Sequence, residues 1–480
     1  MMNVEEVCER FLQMEATREL FDKLRIDNVP IWCYFRANIY DYMLEMLCGV
    51  EEPNYRKPQL EIKSNIIEWL DDHVLRNQFM VGKRDVLIFN HARRVKQGGV
   101  YKCIYTDEWL KDFKRSYYVY EAKYVGEIHF KPVKTKNLRY IDYEQFANIF
   151  HKIYDMGIYK TQISKASKEL VNVLEEEFDI VFEYKQRKWI TDYITGAWWR
   201  RLRCRDYYRY LLAKIQPKVI VYVVGYIVDY MIVAELAKEM GIPTIELQHG
   251  HIGRTQVPYN FKADVKLNTF PDYLFVTGQY EIDTARLPIP KENVYVVGSP
   301  ELDRKLEYYN KALEGKVKKK RIITFISSGE YEIANAAMEL YEKLNKRDYK
   351  LYLKLHPSEY TNWKEKYPKL VESGVDVVSD SRHDIYYYLA VSDYMIGISS
   401  TVLFEASRFK CKMMILKVGR YVSSESIIRT GNGVYIESME EAYNRIMNTD
   451  IEKKESDYFY CSDSVRRMYR SIEDVIDRNR

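Results

Sequence analysis

The sequence predicts an α/β protein of two doubly wound, parallel-sheet domains facing across a cleft, with a C-terminal helix packing back on the first domain. Three observations carry this expectation. At 480 residues the chain is longer than one hydrophobic core accommodates, so two domains are expected. From Val219 it reads VIVYVV, GYIVDY, MIVAELAKEM and GIPTIELQHG. That is a β-branched run, a glycine-containing loop, a helical stretch closed by Gly241 and a second apolar run, which together describe a βαβ unit. Further short apolar runs at 85–89, 273–276, 294–297, 322–326, 351–355 and 394–398 each end in small or polar residues, as strands buried on both faces do.

Taken in order, the strands up to 297 form the first domain, residues 1–303. The boundary lies between Gly298 and Arg321, where GSPELD leads into the basic stretch LEGKVKKKR. The second domain follows over 304–455, and RRMYRSIEDVIDR supplies the returning helix within 456–480. No internal repeat or low-complexity tract interrupts this order.

Composition narrows the class. A chain that is 47% apolar and 30% charged is that of a folded, water-soluble protein. The net charge of +4 is small against 74 basic and 70 acidic residues, so any basic site must be local and no nucleic-acid partner is expected. Seven scattered cysteines without C-x-x-C spacing fit a reducing cytoplasm and predict neither zinc nor disulfides. The opening MMNVEEVCERF lacks the basic and apolar regions of a secretion signal. The most apolar window, 219–237, is broken by Gly225 and Asp229 and falls short of a membrane span.

Candidate chemistry lies where strands end, because ligands of parallel sheets gather at the carboxyl edge. In the second domain, RIITFI runs into SSGEYE, where Ser328 and Gly329 precede a helix expected near Tyr331 and leave backbone N–H groups for a phosphate. LYLKL delivers His356 and Pro357, and the proline keeps the imidazole out of a helix. YMIGISSTVLFEASRF places Ser399, Ser400 and Thr401 in a turn ahead of a helix bearing Glu405, a pattern suited to nucleotide phosphate and ribose hydroxyls. Each has a plain structural alternative: a Ser N-cap, a turn, and a capping Ser with a solvated Glu.

In the first domain, DVLIF is followed by His91, Arg93 and Arg94, with Asp107 after a second short strand. These residues form either an acceptor or donor anion site or a basic loop over Gly98 and Gly99. ELQHG presents His249, followed by His251 and Arg254, with Glu246 and Asp229 in the same unit. His249, His251, Glu246 and Asp229 are the candidates for a general base. The stretch WWRRLRCRDYYRY, 198–210, is either a surface for an anionic membrane or lipid-linked acceptor or a packed helix with snorkelling arginines. No D-x-D spacing occurs, so no metal is expected.

The passages ELQHG, GQYEID…VYVVGSPELD, KLHPSE and GISSTVLFEA resemble the GT-B glycosyltransferases of capsule and lipopolysaccharide assembly, over roughly 218–416. That resemblance implies two Rossmann-like domains, a nucleotide-sugar donor as co-substrate without further cofactor, and cytoplasmic work at or near the inner membrane face. Bacterial sialyl- and Kdo transferases of this type hold CMP with an HP motif and a serine pair. By resemblance His356, Ser399 and Ser400 would bind the nucleotide phosphate and Glu405 would lie near the ribose. The acidic motif that supplies the base in some sialyltransferases is not evident here. Similar HG and HP histidines occur in polymerases that transfer polyol phosphate from CDP-linked donors. Non-hydrolysing UDP-sugar epimerases share the GSP-like, HP and serine-glutamate passages.

The expected function is therefore transfer of a sugar, with CMP-linked Kdo or sialic acid as first choice, to a surface-polysaccharide or lipid-linked acceptor. Polyol-phosphate transfer and a non-catalytic glycan- or nucleotide-sugar-binding subunit are the alternatives.

Overall fold

A computed structural model describes residues 2–49, 74–124, 129–141, 157–419, 421–448, 451 and 457–479. Ser456 and Arg480, the ends of the expected returning segment, lie outside the described residues.

The first sheet has seven strands: β1 (Val86–Phe89), β2 (Tyr117–Glu121), β3 (Leu138–Tyr140), β4 (Val219–Val223), β5 (Thr244–Leu247), β6 (Tyr273–Val276) and β7 (Val294–Val296). They lie in the order β7-β6-β5-β4-β1-β2-β3, and every pairing is parallel. The second sheet has six: β8 (Arg321–Ile326), β9 (Tyr349–Lys354), β10 (Asp376–Val378), β11 (Tyr394–Gly397), β12 (Lys412–Leu416) and β13 (Gly433–Ile436). Its order is β10-β9-β8-β11-β12-β13, again all parallel.

The central strands are buried on both faces, which is why β1, β4 and β6 read as unbroken apolar runs. The side-chain period of two sorts β1: Leu87 and Phe89 enter one core, Val86 and Ile88 the other. Helices α1 (Val4–Thr17), α2 (Arg36–Cys48), α3 (Lys160–Phe178), α4 (Tyr184–Ile215) and α5 (Val228–Glu239) cover the first of these faces.

The chain leaves the first sheet through α6 (Pro300–Leu313), which spans residue 303, where the sequence divides the domains. Its Lys305 and Tyr309 bond Asp384, the N-cap of α8 (Ile385–Val391), after α7 (Tyr331–Lys343) has opened the second domain. α7 and α9 (Met439–Asn448) cover one face of the second sheet.

The C-terminal helix α10 (Ser464–Arg478) packs on the first domain. Its stripe of Met468, Ile472, Val475 and Ile476 joins Val86, Ile88, Val219 and Val221 in one core. Ahead of it, residues 458–461 run along the edge of the first sheet: Tyr280 N–H donates to the Tyr458 carbonyl at 3.0 Å and Cys461 N–H to the Thr277 carbonyl at 2.8 Å. Gly298 makes room for this strap. Its φ is +77°, and a Cβ there would meet the Cys461 carbonyl oxygen at 2.4 Å.

The two domains touch through side chains as well. Arg304 pairs with Glu108 at 3.0 Å, and the His251 ring stacks on Phe404 with centroids 4.1 Å apart. No described helix is long and apolar enough to cross a membrane. In α4, Arg200 pairs with Asp229, Arg201 with Glu235, and Arg205 and Arg209 with Glu239, all on α5. These arginines thus hold two helices together, which matches the packed-helix alternative for 198–210.

Candidate active site between the two sheets

Strand order explains where the site forms. In the first sheet the chain steps outward from β1 through β3 and then returns to place β4 on the other side of β1. The second sheet does the same, with β11 returning beside β8. Neighbouring strands whose connections depart in opposite directions leave a crevice at their carboxyl ends. The crevices here lie between β1 and β4 and between β8 and β11. Most of the motifs read from the sequence end strands at or next to those two points.

At the first crevice, β1 delivers His91, β4 delivers Tyr226 and the adjacent β5 delivers His249. His91 Nδ1 accepts the Arg93 backbone N–H at 2.9 Å, so the ring proton sits on Nε2. The Tyr105 ring packs on His91 with centroids 5.6 Å apart, and its hydroxyl donates to the His249 carbonyl at 2.9 Å. His249 Nε2 lies 3.2 Å from the Tyr226 hydroxyl, while its Nδ1 is buried without a protein partner. Burial pushes both imidazoles from 6.5 down to about 4, with Arg93 adding to the effect on His91 and His91 to that on His249. Both are neutral at pH 7.

At the second crevice, Ser328 N–H donates to Glu330 Oε2 and Ser399 Oγ donates to Glu330 Oε1, each at 3.1 Å. One carboxylate therefore bridges the turns after β8 and β11, at the N-terminus of α7, where the sequence places a phosphate. Ser328 Oγ is buried without a partner, and Gly329 N–H donates to Ser327 Oγ at 3.1 Å. From β9, His356 is the N-cap of a single 3-10 turn that begins at Pro357. Its Nδ1 accepts the Ser358 N–H at 3.3 Å, and its own N–H donates to Glu359 at 3.0 Å. Its Nδ1 also lies 2.7 Å from the Ser358 hydroxyl, so unlike His91 either ring nitrogen of His356 can carry the proton. Burial lowers the His356 pKa, and the Arg93 charge contributes in the same direction. Arg93, exposed on the first domain, thus lies within electrostatic reach of His356 on the second.

The structure brings together His91, Arg93 and His249 on one side and Ser328, Gly329, His356, Pro357, Ser399 and Ser400 on the other. Thr401 is exposed beside them as the N-cap of a short helix, Val402–Glu405, which continues only as a 3-10 turn. The other candidates are placed elsewhere. Arg94 is fully buried and pairs with Glu121 at 2.7 Å and Asp107 at 3.2 Å, and Asp107 also accepts the Cys103 N–H and the Thr135 hydroxyl. Both are committed to that internal network. Asp229 is held by both ends of the Arg200 guanidinium at 2.5 Å. Arg254 is exposed and acts electrostatically on Glu9 of α1. His251 is sandwiched between Tyr280 and Phe404, where burial lowers its pKa to about 4, and it serves as a domain contact.

Glu246 is an interior carboxyl and Glu405 a half-buried one, each pushed from 4.5 up to about 7 by burial. Glu405 is hydrogen-bonded to Tyr386 and repelled by Glu301. Glu246 accepts Gly225 N–H at 2.8 Å and the Tyr259 hydroxyl at 2.6 Å. It also lines, with Tyr226 and Arg36, a cavity of about 30 Å³. That is room for a water or two and too small for a sugar.

Sequence reasoning missed Tyr226, Tyr105, Glu330 and Lys354. Tyr226, Glu330 and Lys354 lie inside passages already quoted and Tyr105 stands two residues before Asp107, but each becomes visible only when strand neighbours are known. Lys354 is buried two residues before His356, donates to the Tyr360 hydroxyl and, at 3.2 Å, to the Asp380 carbonyl, and is lowered to about 8 by burial. Among the described residues no group of three His, Cys, Asp or Glu side chains could hold a metal ion.

No protein-family model matches the chain, and no curated protein matches it in sequence. Solved structures do resemble it. The UDP-GlcNAc 2-epimerase of Methanocaldococcus jannaschii is similar over 81% of this chain and 99% of its own, with 12% identity and a TM-score of 0.50. That of Neisseria meningitidis bound to UDP-GlcNAc has 12% identity, the same coverage and a TM-score of 0.48. The wall teichoic acid polymerase TagF is similar over 82% of this chain and 88% of its own, with 12% identity and a TM-score of 0.42. At this identity the likeness is one of fold, and it agrees with two Rossmann-like domains of the GT-B kind.

Proposed function

We propose that the chain is a GT-B-type transferase that moves a sugar from a nucleotide-activated donor to an acceptor hydroxyl. The observation that carries this reading is the opposition of two sets of strand-end groups. His91, Arg93 and His249 stand on one sheet and Ser328, His356 and Ser399 on the other, with the Arg93 charge felt at His356.

In this reading the second domain holds the donor nucleotide. The His356 ring, the orphaned Ser328 hydroxyl and the N–H groups at the start of α7 donate to phosphate oxygens. Arg93 crosses from the first domain to the same phosphate. His249, neutral at pH 7, takes the proton from the acceptor hydroxyl as that oxygen attacks the sugar carbon. The bond to the donor phosphate breaks, and Arg93 with the imidazole donors stabilises the departing anion. These side-chain cations and donors make the mechanism metal-independent as proposed.

The first choice of donor remains a CMP-linked sugar such as Kdo or sialic acid, and the acceptor a surface-polysaccharide or lipid-linked glycan. The pairing of an HG histidine with an HP histidine supports a second reading, in which polyol phosphate is transferred from a CDP-linked donor. The M. jannaschii epimerase, named for a UDP-sugar, adds UDP-sugars to the test. Thermal-shift measurements with CMP, CDP and UDP, followed by product analysis with the matching activated donors, decide among these. A chain that no nucleotide stabilises and that yields no product would be a non-catalytic binding subunit.

A further inference from the structure

The β10 edge of the second sheet carries a cavity outside the two crevices. β9 alternates, so Leu351, Leu353 and Leu355 enter the core under α7 and α9, while Tyr352 turns to the opposite face and meets Tyr388 of α8 edge-on with centroids 5.4 Å apart. Opposite Tyr352 in register stands Asp376, the first residue of β10. Between this edge and α8 lies a cavity of about 270 Å³, its wall completed by Asp380, Arg382 and His383 from the loop after β10. The rings around it are held in place: Tyr387 meets Tyr388 edge-on at 5.2 Å, and His383 stacks on Tyr387 at 4.3 Å. Tyr352 and Tyr387 are half-buried, so part of each ring still faces water. The loop is fixed too, since the buried Lys354 donates to the Asp380 carbonyl at 3.2 Å.

Open aromatic surface that is already fixed loses little freedom when a ligand covers it, and the C–H face of a sugar ring is apolar enough to do so. The charges at the cavity are matched among themselves. Asp380 accepts the Arg382 backbone N–H at 2.9 Å and its Nε–H at 2.8 Å, and Lys350 Nζ lies 3.5 Å from Asp376 Oδ2. An anionic ligand would find no unpaired cation here, whereas hydroxyls can use the other oxygen of Asp376 and the Nη groups of Arg382 without breaking either pair. Pockets for drug-sized ligands span about 300–1,000 Å³. This one falls just below that range, which suits a single ring and not a whole nucleotide sugar.

We propose that this cavity is a carbohydrate subsite that holds one neutral sugar ring of a glycan, apart from the crevice in which the donor nucleotide would bind. The half-open tyrosine rings pack on the C–H face of the sugar, and Asp376 and Arg382 bond its hydroxyls. The loop after β10 lies at the carboxyl edge that also bears His356 and Ser328, and β10 stands two strands from β8, roughly 10 Å at ordinary strand spacing. A short glycan spans that distance, so the subsite would retain an acceptor chain whose end lies in the cleft. Sugar binding here goes beyond the transferase reading and does not depend on it.

Saturation-transfer NMR on the full chain tests this, with the methyl glycosides of glucose, galactose and N-acetylglucosamine as neutral probes and that of sialic acid as the acidic one. At least one neutral probe should receive saturation at its ring C–H protons. Asp376→Asn and Tyr387→Leu should each weaken its Kd about tenfold, the scale of one lost polar or aromatic contact. Saturating CMP, CDP or UDP should leave the signal in place. Asp376 is exposed, so its variant decides the matter even where thermal melts show the tyrosine replacement to be unfolded. The proposal is overturned if no neutral probe binds, if either folded variant binds it as the wild type does, if the sialoside binds as tightly, or if a nucleotide displaces the sugar. None of these readouts requires turnover, so the subsite and the transferase reading fail separately.

Discussion

Replacing Glu246 by Gln separates an anchoring carboxyl from a catalytic one. Glu246 is 1% exposed, and burial raises its pKa from 4.5 to about 7 against the opposing hydrogen bonds from Tyr259 and Gly225. A carboxyl that holds its proton more tightly when folded contributes no penalty below pH 4.5. As pH rises from there through about 7, ionisation of the unfolded chain is favoured and stability is lost. The gap between the two values corresponds to about 3 kcal/mol. Glutamine offers the same carbonyl oxygen to Gly225 and Tyr259 and never ionises.

The variant should therefore match the wild type at pH 4 and exceed it at pH 8 by about 3 kcal/mol. For a cooperative unit of roughly 300 residues that is about 5 °C in Tm. Circular-dichroism melts of both proteins at half-unit steps between pH 4 and 8 measure the difference. Parallel curves across that range would refute the raised pKa and the burial argument behind it. Turnover offers a second check: E246Q should retain most of it, and its abolition would make Glu246 the proton acceptor after all.

Other outcomes follow from the same geometry. His249→Ala should lower turnover by about 100-fold or more at nearly unchanged nucleotide affinity, measured by transfer assay and calorimetry. Arg93→Ala should weaken donor binding about tenfold without lowering Tm. Arg94→Met, by contrast, should cost about 3–5 kcal/mol in stability, because it strands Glu121 and Asp107 in the interior, and thermal melts distinguish the two. Glu330→Gln should tighten nucleotide binding several-fold by calorimetry, since a carboxylate now bridges the turns that would receive phosphate. Transfer should persist in excess EDTA, and loss restored by magnesium or manganese would refute the metal-free mechanism.

The parts of this fold legible in the sequence are those encoded locally. VLIF and VIVYV are apolar without alternation because both faces of their sheet are covered, and the stripe of α10 shows at helical spacing. The candidate site was legible only as a set of residues at strand ends, for the same reason. What the sequence withheld were pairings distant along the chain. NHARR presents Arg93 and Arg94 as equals, yet Glu121, 27 residues beyond Arg94, buries that one and leaves Arg93 exposed. Asp229 looks available until Arg200 of the preceding helix claims it. Tyr226 is an ordinary loop residue until β5 lies beside β4 and brings His249 to its hydroxyl. The switch points depend on strand order, which no local pattern records.

Neutral histidines at the first crevice bear on the order of events in the proposed reaction. With His91 and His249 both near 4, the first crevice holds one permanent positive charge, Arg93. A base of that pKa accepts a proton poorly at pH 7. A donor phosphate charge at about 6 Å in an effective dielectric of about 20 favours imidazolium by about 3 kcal/mol, which returns a pKa near 4 to about 6. In the proposed reaction a bound donor would supply the basicity His249 needs, and the same charge would offset the repulsion between His249 and His91. An acceptor hydroxyl arriving before the donor would meet a histidine too weak to activate it, and one arriving afterwards would meet a competent base. The proposed reaction would then run donor first and acceptor second, with the proton-accepting group quiet until the bond to be broken is in place.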